Sequence, residues 1–133
     1  MGAWDFGPFD NDDAGDWLYD LEKSSDTSVI DDALRKVTDI GDEYLEAPDC
    51  SSAIAAAEIV AAVRGHAVVK LPDNAKLWVE AHRTLVVTSI VPNALAALQR
   101  IRTNSELKEL WDESEEASKW YATIDDLTQR LKA

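Results

Sequence analysis

The chain has 133 residues and a mass of 14.7 kDa, a length that fits one domain and can bury roughly two-thirds of its unfolded surface without disulfides or metals. Hydrophobic residues make up 46% and charged residues 29%, which excludes a disordered or membrane-embedded chain. Twenty-six acids against 13 Lys and Arg leave a net charge of −13; such a field repels nucleic acid and anionic membranes, so neither is expected as a partner.

The charge is polarised along the chain. Residues 1–50 carry 15 acids and three bases (Lys23, Arg35, Lys36), whereas residues 51–133 carry 11 acids and 10 bases. The single cysteine, Cys50, rules out an internal disulfide or a thiolate metal cage. Its position near a helix start could lower the thiol pKa, but with no second cysteine to resolve an oxidised form an inert role is favoured. No apolar stretch reaches the ~20 residues of a membrane span. The opening residues have neither the basic nor the apolar region of a secretion signal, and Phe6 replaces the Ser or Thr of a myristoylation signal. A cytoplasmic protein is expected.

In chain order, residues 1–10 read as an aromatic arm. Ala14, Trp17, Leu18 and Leu21 then form a helical stripe, with Asp10 as the expected N-cap and Asp12 and Asp13 in the first turn. A second helix is predicted after Asp26, carrying Ile30, Ala33, Leu34, Val37, Ile40 and Tyr44 inward, with Gly41 inside it and Ala47-Pro48-Asp49 as its stop. Residues 51–64 are apolar nearly all round, the mark of a central helix, and Gly65 is placed to end it. Residues 66–71 read as an extended link. Pro72-Asp73 opens a short helix bearing Leu77, Trp78 and Ala81.

Residues 85–91 are the one β-like run. A lone strand has nothing to pair with, so Ser89 is read as an N-cap and Pro92 as a first-turn residue of a helix with Ala94, Leu95, Leu98 and Ile101. Leu107, Leu110 and Trp111 form a further short helix after Ser105. Ala117, Trp120, Tyr121, Ile124, Leu127 and Leu131 form the last, capped by Ser114. No linker or internal repeat interrupts the pattern. The prediction is an all-α, compact single domain over residues 1–133, a bundle of six or seven short helices with the arm packed on it.

Several constellations bear on chemistry. Asp10, Asp12 and Gly15 fall at positions one, three and six of a calcium loop, but Ala14 and Leu21 occupy the fifth and twelfth, so a capped helix start is favoured over a cation site. Trp4, Phe6, Phe9, Trp17 and Tyr19 are half of the ten aromatics. Exposed, they would make a binding platform; the favoured reading is that Trp4, Phe6 and Phe9 tuck the arm down, with Gly7-Pro8 making the turn. Glu58 sits among Ala, Ile and Val. A buried carboxylate needs a partner, for which Arg64, His82, Arg83 or backbone N–H groups are available, and a structural acid is favoured over a catalytic one. His66 and His82 have no companions at zinc-ligand spacing. There is no nucleophile elbow, glycine-rich phosphate loop or HExxH motif. No catalytic residue, cofactor or metal is expected.

Two stretches taken together resemble a bacterial domain-of-unknown-function family (catalogue number four-two-five-nine). One is Met1-Gly2-Ala3-Trp4-Asp5-Phe6-Gly7-Pro8-Phe9-Asp10-Asn11-Asp12-Asp13-Ala14; the other is Tyr44-Leu45-Glu46-Ala47-Pro48 followed by Ala53-Ile54-Ala55-Ala56-Ala57-Glu58-Ile59-Val60-Ala61. Asp5 departs from the small residue common in such openings. The resemblance implies a small intracellular bacterial protein and no activity. It turns attention to Trp4, Gly7, Pro8, Phe9, Asp10, Asn11, Asp12 and Glu58: Trp4 and Phe9 would anchor the arm, Asp10 would cap the first helix, and Asn11 or Asp12 would bond the arm's backbone. With Asp13 and His82, these are the candidate functional or arm-docking residues.

The leading functional expectation is a non-enzymatic binding protein whose acidic first half faces a basic partner, as immunity proteins and antitoxin-like inhibitors face basic nucleases. The alternatives are a metal-assisted enzyme using Asp10, Asp12, Asp13 and Glu58, which requires those carboxylates to converge, and a homo-oligomeric structural or regulatory component.

Overall fold

The computed structural model describes residues 7–68, 70–85 and 87–133. Among these residues seven helices and one 3-10 turn follow in order: α1 (Asp12–Glu22), α2 (Ser28–Thr38), α3 (Ala47–Val63), α4 (Asp73–Ala81), the turn Thr88–Ile90, α5 (Val91–Thr103), α6 (Glu106–Asp112) and α7 (Ala117–Lys132). There is no strand among the described residues, and the fold is an all-α bundle. The helix α3 packs against each of the other helices. Thirteen of its 17 residues are buried, from Cys50 to Val63. Its many alanines let neighbouring helices approach closely at no cost in side-chain entropy.

Local chemistry accounts for where the helices begin. At α1 the N-cap is Asn11, not the expected Asp10. Asn11 is extended (φ −154°, ψ 159°) and its side-chain oxygen accepts the Ala14 N–H at 2.8 Å. Asp10 is exposed and belongs to the preceding turn, its N–H bonded to the Gly7 carbonyl at 3.1 Å. The turn thus consumes Asp10 and passes the cap to the next residue. At α2, Asp26 accepts the Ser28 N–H at 2.9 Å and its hydroxyl at 2.6 Å, outside the formal cap position. Ser105 caps α6 by accepting the Lys108 N–H at 3.1 Å, while its own hydroxyl donates to the Ile101 carbonyl at 2.7 Å.

Helix α2 ends earlier than predicted, at Thr38. Gly41 lies beyond it with φ +64°, a conformation that breaks a right-handed helix. Arg100 on α5 fixes the break by donating to the carbonyls of Gly41 (2.6 Å) and Glu43 (3.0 Å). Tyr44 is consequently 57% exposed, not inward, and its hydroxyl donates to Glu109 at 2.5 Å. Pro48 starts α3 instead of stopping α2, since its fixed φ and missing N–H suit a first helical turn. Glu106 accepts the Ala47 N–H at 2.7 Å, closing that helix start against α6.

Gly65, at φ +90°, ends α3 as expected. The His66 N–H reaches the Ala61 carbonyl at 2.8 Å and the Gly65 N–H reaches Ala62 at 3.0 Å, the paired bonds of a Schellman termination. On α4 the indole N–H of Trp78 donates to the Ser24 carbonyl at 2.9 Å. This rotates Ala75, Trp78 and Val79 inward and leaves Leu77 69% exposed and Ala81 on the surface, against prediction. Ser89 caps nothing, because the 3-10 turn already feeds into α5; Pro92 does occupy its first turn. Ser114 accepts the Glu116 N–H at 3.1 Å, but the cap position of α7 is Glu116.

Leu21, Ile30, Leu34, Leu45, Ile59, Leu98, Ile101, Ile124, Leu127 and Leu131 are fully enclosed in one continuous core. Among the described residues, no helix is long and apolar enough to cross a membrane. Replacing Asn11 by Ala is expected to lower stability by about 1 kcal/mol, with Asp10→Ala within about 0.5 kcal/mol of wild type; urea denaturation of the two variants distinguishes these caps.

Candidate functional site

Glu58 lies midway along α3 and is completely buried. Its partner is Arg130 on the last turn of α7, with Nη1 2.7 Å from Oε1 and Nη2 2.8 Å from Oε2. None of the expected partners serves. Arg64 instead caps the end of α7, donating to the carbonyls of Leu131 (2.5 Å) and Ala133 (3.0 Å). His82 donates from Nδ1 to the Trp78 carbonyl at 2.7 Å and stacks on that indole at 4.1 Å. Arg83 is exposed on the turn after α4.

Arg130 is almost fully committed. Its Nε–H donates to Asp126 at 2.8 Å, and Nη1 also donates to the His66 carbonyl at 3.1 Å. Four of the five guanidinium N–H bonds are therefore used, all in the plane of the group. Burial pushes the Glu58 carboxyl up, while the hydrogen bonds and charge of Arg130 act in the opposite direction. The two-pronged contact is the geometry of a carboxylate held by a guanidinium.

Above this pair lies a groove of about 300 Å³, lined by Pro8, Val68 and the α7 residues Lys119, Ala122, Thr123, Asp126 and Arg130, with Glu58 at its floor. Beside it, Gly7, Pro8 and Asn11 lie over Ser51, Ile54, Trp111 and Trp120. The opening segment and Glu58, singled out separately in the sequence, thus meet on one face made by α3 and α7. Phe9 packs partly buried against the core. Trp4, the other expected anchor, lies outside the described residues.

The acidic candidates part company. Asp13 lines a different groove, of about 440 Å³ between α1 and α2, with Asp16, Asp20, Asp32 and Lys36 around a floor of Trp17, Val29 and Ala33. Asp10 and Asp12 are exposed and line neither groove. The carboxylates needed by the metal-assisted enzyme reading do not converge, and no group of three or more His, Cys, Asp or Glu able to hold a metal occurs among the described residues. Every ion pair among the described residues lies beyond residue 50: Arg102–Asp125, Lys108–Asp112, Lys119–Glu116, Arg130–Glu58 and Arg130–Asp126. Cys50 is fully enclosed, and desolvation pushes its thiol up to about 11 despite a bond to Ser105, the reverse of the lowering considered for a helix start.

The architecture defines a small all-α domain whose surface grooves include an acidic one and one resting on a buried ion pair. A family model, the domain of unknown function DUF4259, matches residues 2–123. The chain belongs to that family. No curated protein and no solved structure matches it.

Losing one member of the Glu58–Arg130 pair leaves the other desolvated. Glu58→Leu or Arg130→Met alone is expected to cost about 3–5 kcal/mol, whereas the double substitution restores most of the loss; chemical denaturation of the three variants checks this coupling. Cys50 is expected to resist a thiol-specific disulfide reagent at pH 8 in the native protein and to react once the chain is unfolded in urea, a contrast that a colorimetric thiol assay reads directly.

Proposed function

We propose that the protein is a non-enzymatic binding protein for a basic protein partner, acting in the bacterial cytoplasm in the manner of an immunity protein or antitoxin-like inhibitor. The observation that carries this reading is the groove between α1 and α2, where Asp13, Asp16, Asp20 and Asp32 surround an apolar floor, with Lys36 the one cation among the described lining residues. Five of the 11 acids beyond residue 50 are paired with a cation: Glu58, Asp112, Glu116, Asp125 and Asp126. The carboxylates of this groove have no ion-pair partner among the described residues. Four like charges around one groove repel each other, and a cationic side chain entering between them relieves that repulsion while Trp17 and Val29 meet its aliphatic stem.

Opposite fields accelerate encounter and suppress wrong partners, and the effect weakens as salt shortens the screening length from ~30 Å at 0.01 M to ~8 Å at 0.15 M. Nucleic acid and anionic lipid carry the same sign as the groove and are disfavoured. The exposed large hydrophobics among the described residues, Tyr19, Tyr44 and Leu77, sit on three separate segments, and Tyr19 and Tyr44 are already engaged with Lys23 and Glu109.

Affinity capture from a lysate of the source organism tests the proposal. A basic protein should be retained at low salt, released as salt rises, and lost when Asp13, Asp16, Asp20 and Asp32 are all changed to Asn. A control with Glu113→Gln and Glu115→Gln should keep it. Retention that ignores both salt and the four Asn substitutions would sink the idea.

A further inference from the structure

Beneath Gly7 and Pro8, a cavity of about 20 Å³ lies between the cap of α1 and the helices α3, α6 and α7. One water molecule needs about 10–15 Å³ of such space, so the cavity matches a single small molecule of that size. Its walls are mixed. Ile54, Leu107 and Ile124 are apolar, whereas Asn11, Ser51 and Thr123 bring polar side chains, and none of the described lining residues is charged.

Several of these polar groups are buried without a protein partner. Ser51 is only 6% exposed, and its hydroxyl makes no hydrogen bond among the described residues. Asn11 is 9% exposed, and its Oδ1 is spent on the Ala14 N–H at 2.8 Å. That bond fixes which end of the amide is which, and Nδ2 is left without an acceptor among the described residues. The indole N–H groups of Trp111 and Trp120, buried walls of the same cavity, likewise meet no acceptor there. Thr123 donates its own proton to the Trp120 carbonyl at 2.7 Å, so its oxygen can still accept. None of these unpartnered atoms is sealed off from a water-sized sphere. Buried polar groups are nearly always paired, with ordered water where protein does not serve.

We propose that this cavity is a binding site for one ordered water molecule, which bridges the cap of α1 to α3 and α7. The water accepts the Nδ2–H of Asn11 and donates to the hydroxyl oxygens of Ser51 and Thr123, within the two to four partners an internal water takes. A cation does not suit the site, because N–H groups face it and no carboxylate does. A dry cavity does not suit it either, since apolar cavities stay dry and this one is partly polar. The amide of Asn11 therefore has two duties: one end stops α1 from fraying, and the other ties that cap to the middle of the fold.

Water-selective NOE spectra and oxygen-17 relaxation dispersion on the full chain test this. Cross-peaks from water to the Ile54 and Ile124 methyls, which line the cavity, are expected with the sign that marks a bound molecule. None is expected at the Ile30 and Ile101 methyls, fully buried elsewhere in the core. The cross-peaks should persist in Thr123→Val, which removes a half-buried hydroxyl whose exchanging proton could mimic them. Oxygen-17 dispersion is blind to hydroxyl exchange, and its amplitude should fall by one long-lived water in Ser51→Val, whose methyls fill the cavity. Absence of the Ile54 and Ile124 cross-peaks in the wild type overturns the site whether or not either variant folds. Their loss in Thr123→Val, or an unchanged dispersion amplitude in folded Ser51→Val, overturns it as well.

Discussion

A 17-residue helix without a polar face can exist in water only where other elements cover it on every side, and most of this fold is that cover. Each buried Ile or Val on α3 contributes about 1.5–3 kcal/mol when removed from water, so the surrounding helices gain by converging on it. The constraint has one expensive exception. Glu58, fully buried in the middle of α3, costs several kcal/mol unless a cation accompanies it. Arg130 is that cation, and meeting it dictates where the end of α7 must lie. Hydrophobic burial brings the helices together, while the ion pair selects one arrangement of α7 among the many that would cover α3 equally well.

How much of this was legible in the sequence depends on the range of the interaction involved. Gly65 is decipherable because the left-handed conformation it adopts and the helix it ends are neighbours in the chain. The amphipathic stripe of α7 is likewise local: Trp120, Ile124, Leu127 and Leu131 recur at helical spacing and are all buried. Ile40 and Tyr44 extend the α2 pattern just as convincingly, yet the helix has ended, because the carbonyls beyond it are held by Arg100, 59 residues from Gly41. Leu77 misleads for the same reason. Its helix is oriented by an indole bond to Ser24, 54 residues from Trp78.

The candidate site divides in the same way. That Glu58 needs a partner follows from its apolar neighbours alone. The identity of that partner, 72 residues away, is set by tertiary packing, and the only local hint is that Arg130 flanks Leu131 and stands four residues after Asp126. Likewise the excess of acids before residue 50 is plain from composition. That Asp13, Asp16, Asp20 and Asp32 ring one groove depends on how α1 and α2 pack. The polarisation along the chain becomes a division of labour in space: balanced charge where helices are tied together, unbalanced charge where the surface stays open.

His66 joins two of these features in one residue. Its N–H completes the termination of α3 by reaching Ala61, and its carbonyl receives Nη1 of Arg130. The peptide units on either side of one α-carbon therefore serve the corner after α3 and the closure of α7. A change in the geometry of the first is transmitted to the second without any intervening side chain of His66. The left-handed turn at Gly65 in consequence sets the direction of the His66 carbonyl, and with it the acceptor met by an arginine 65 residues further along the chain.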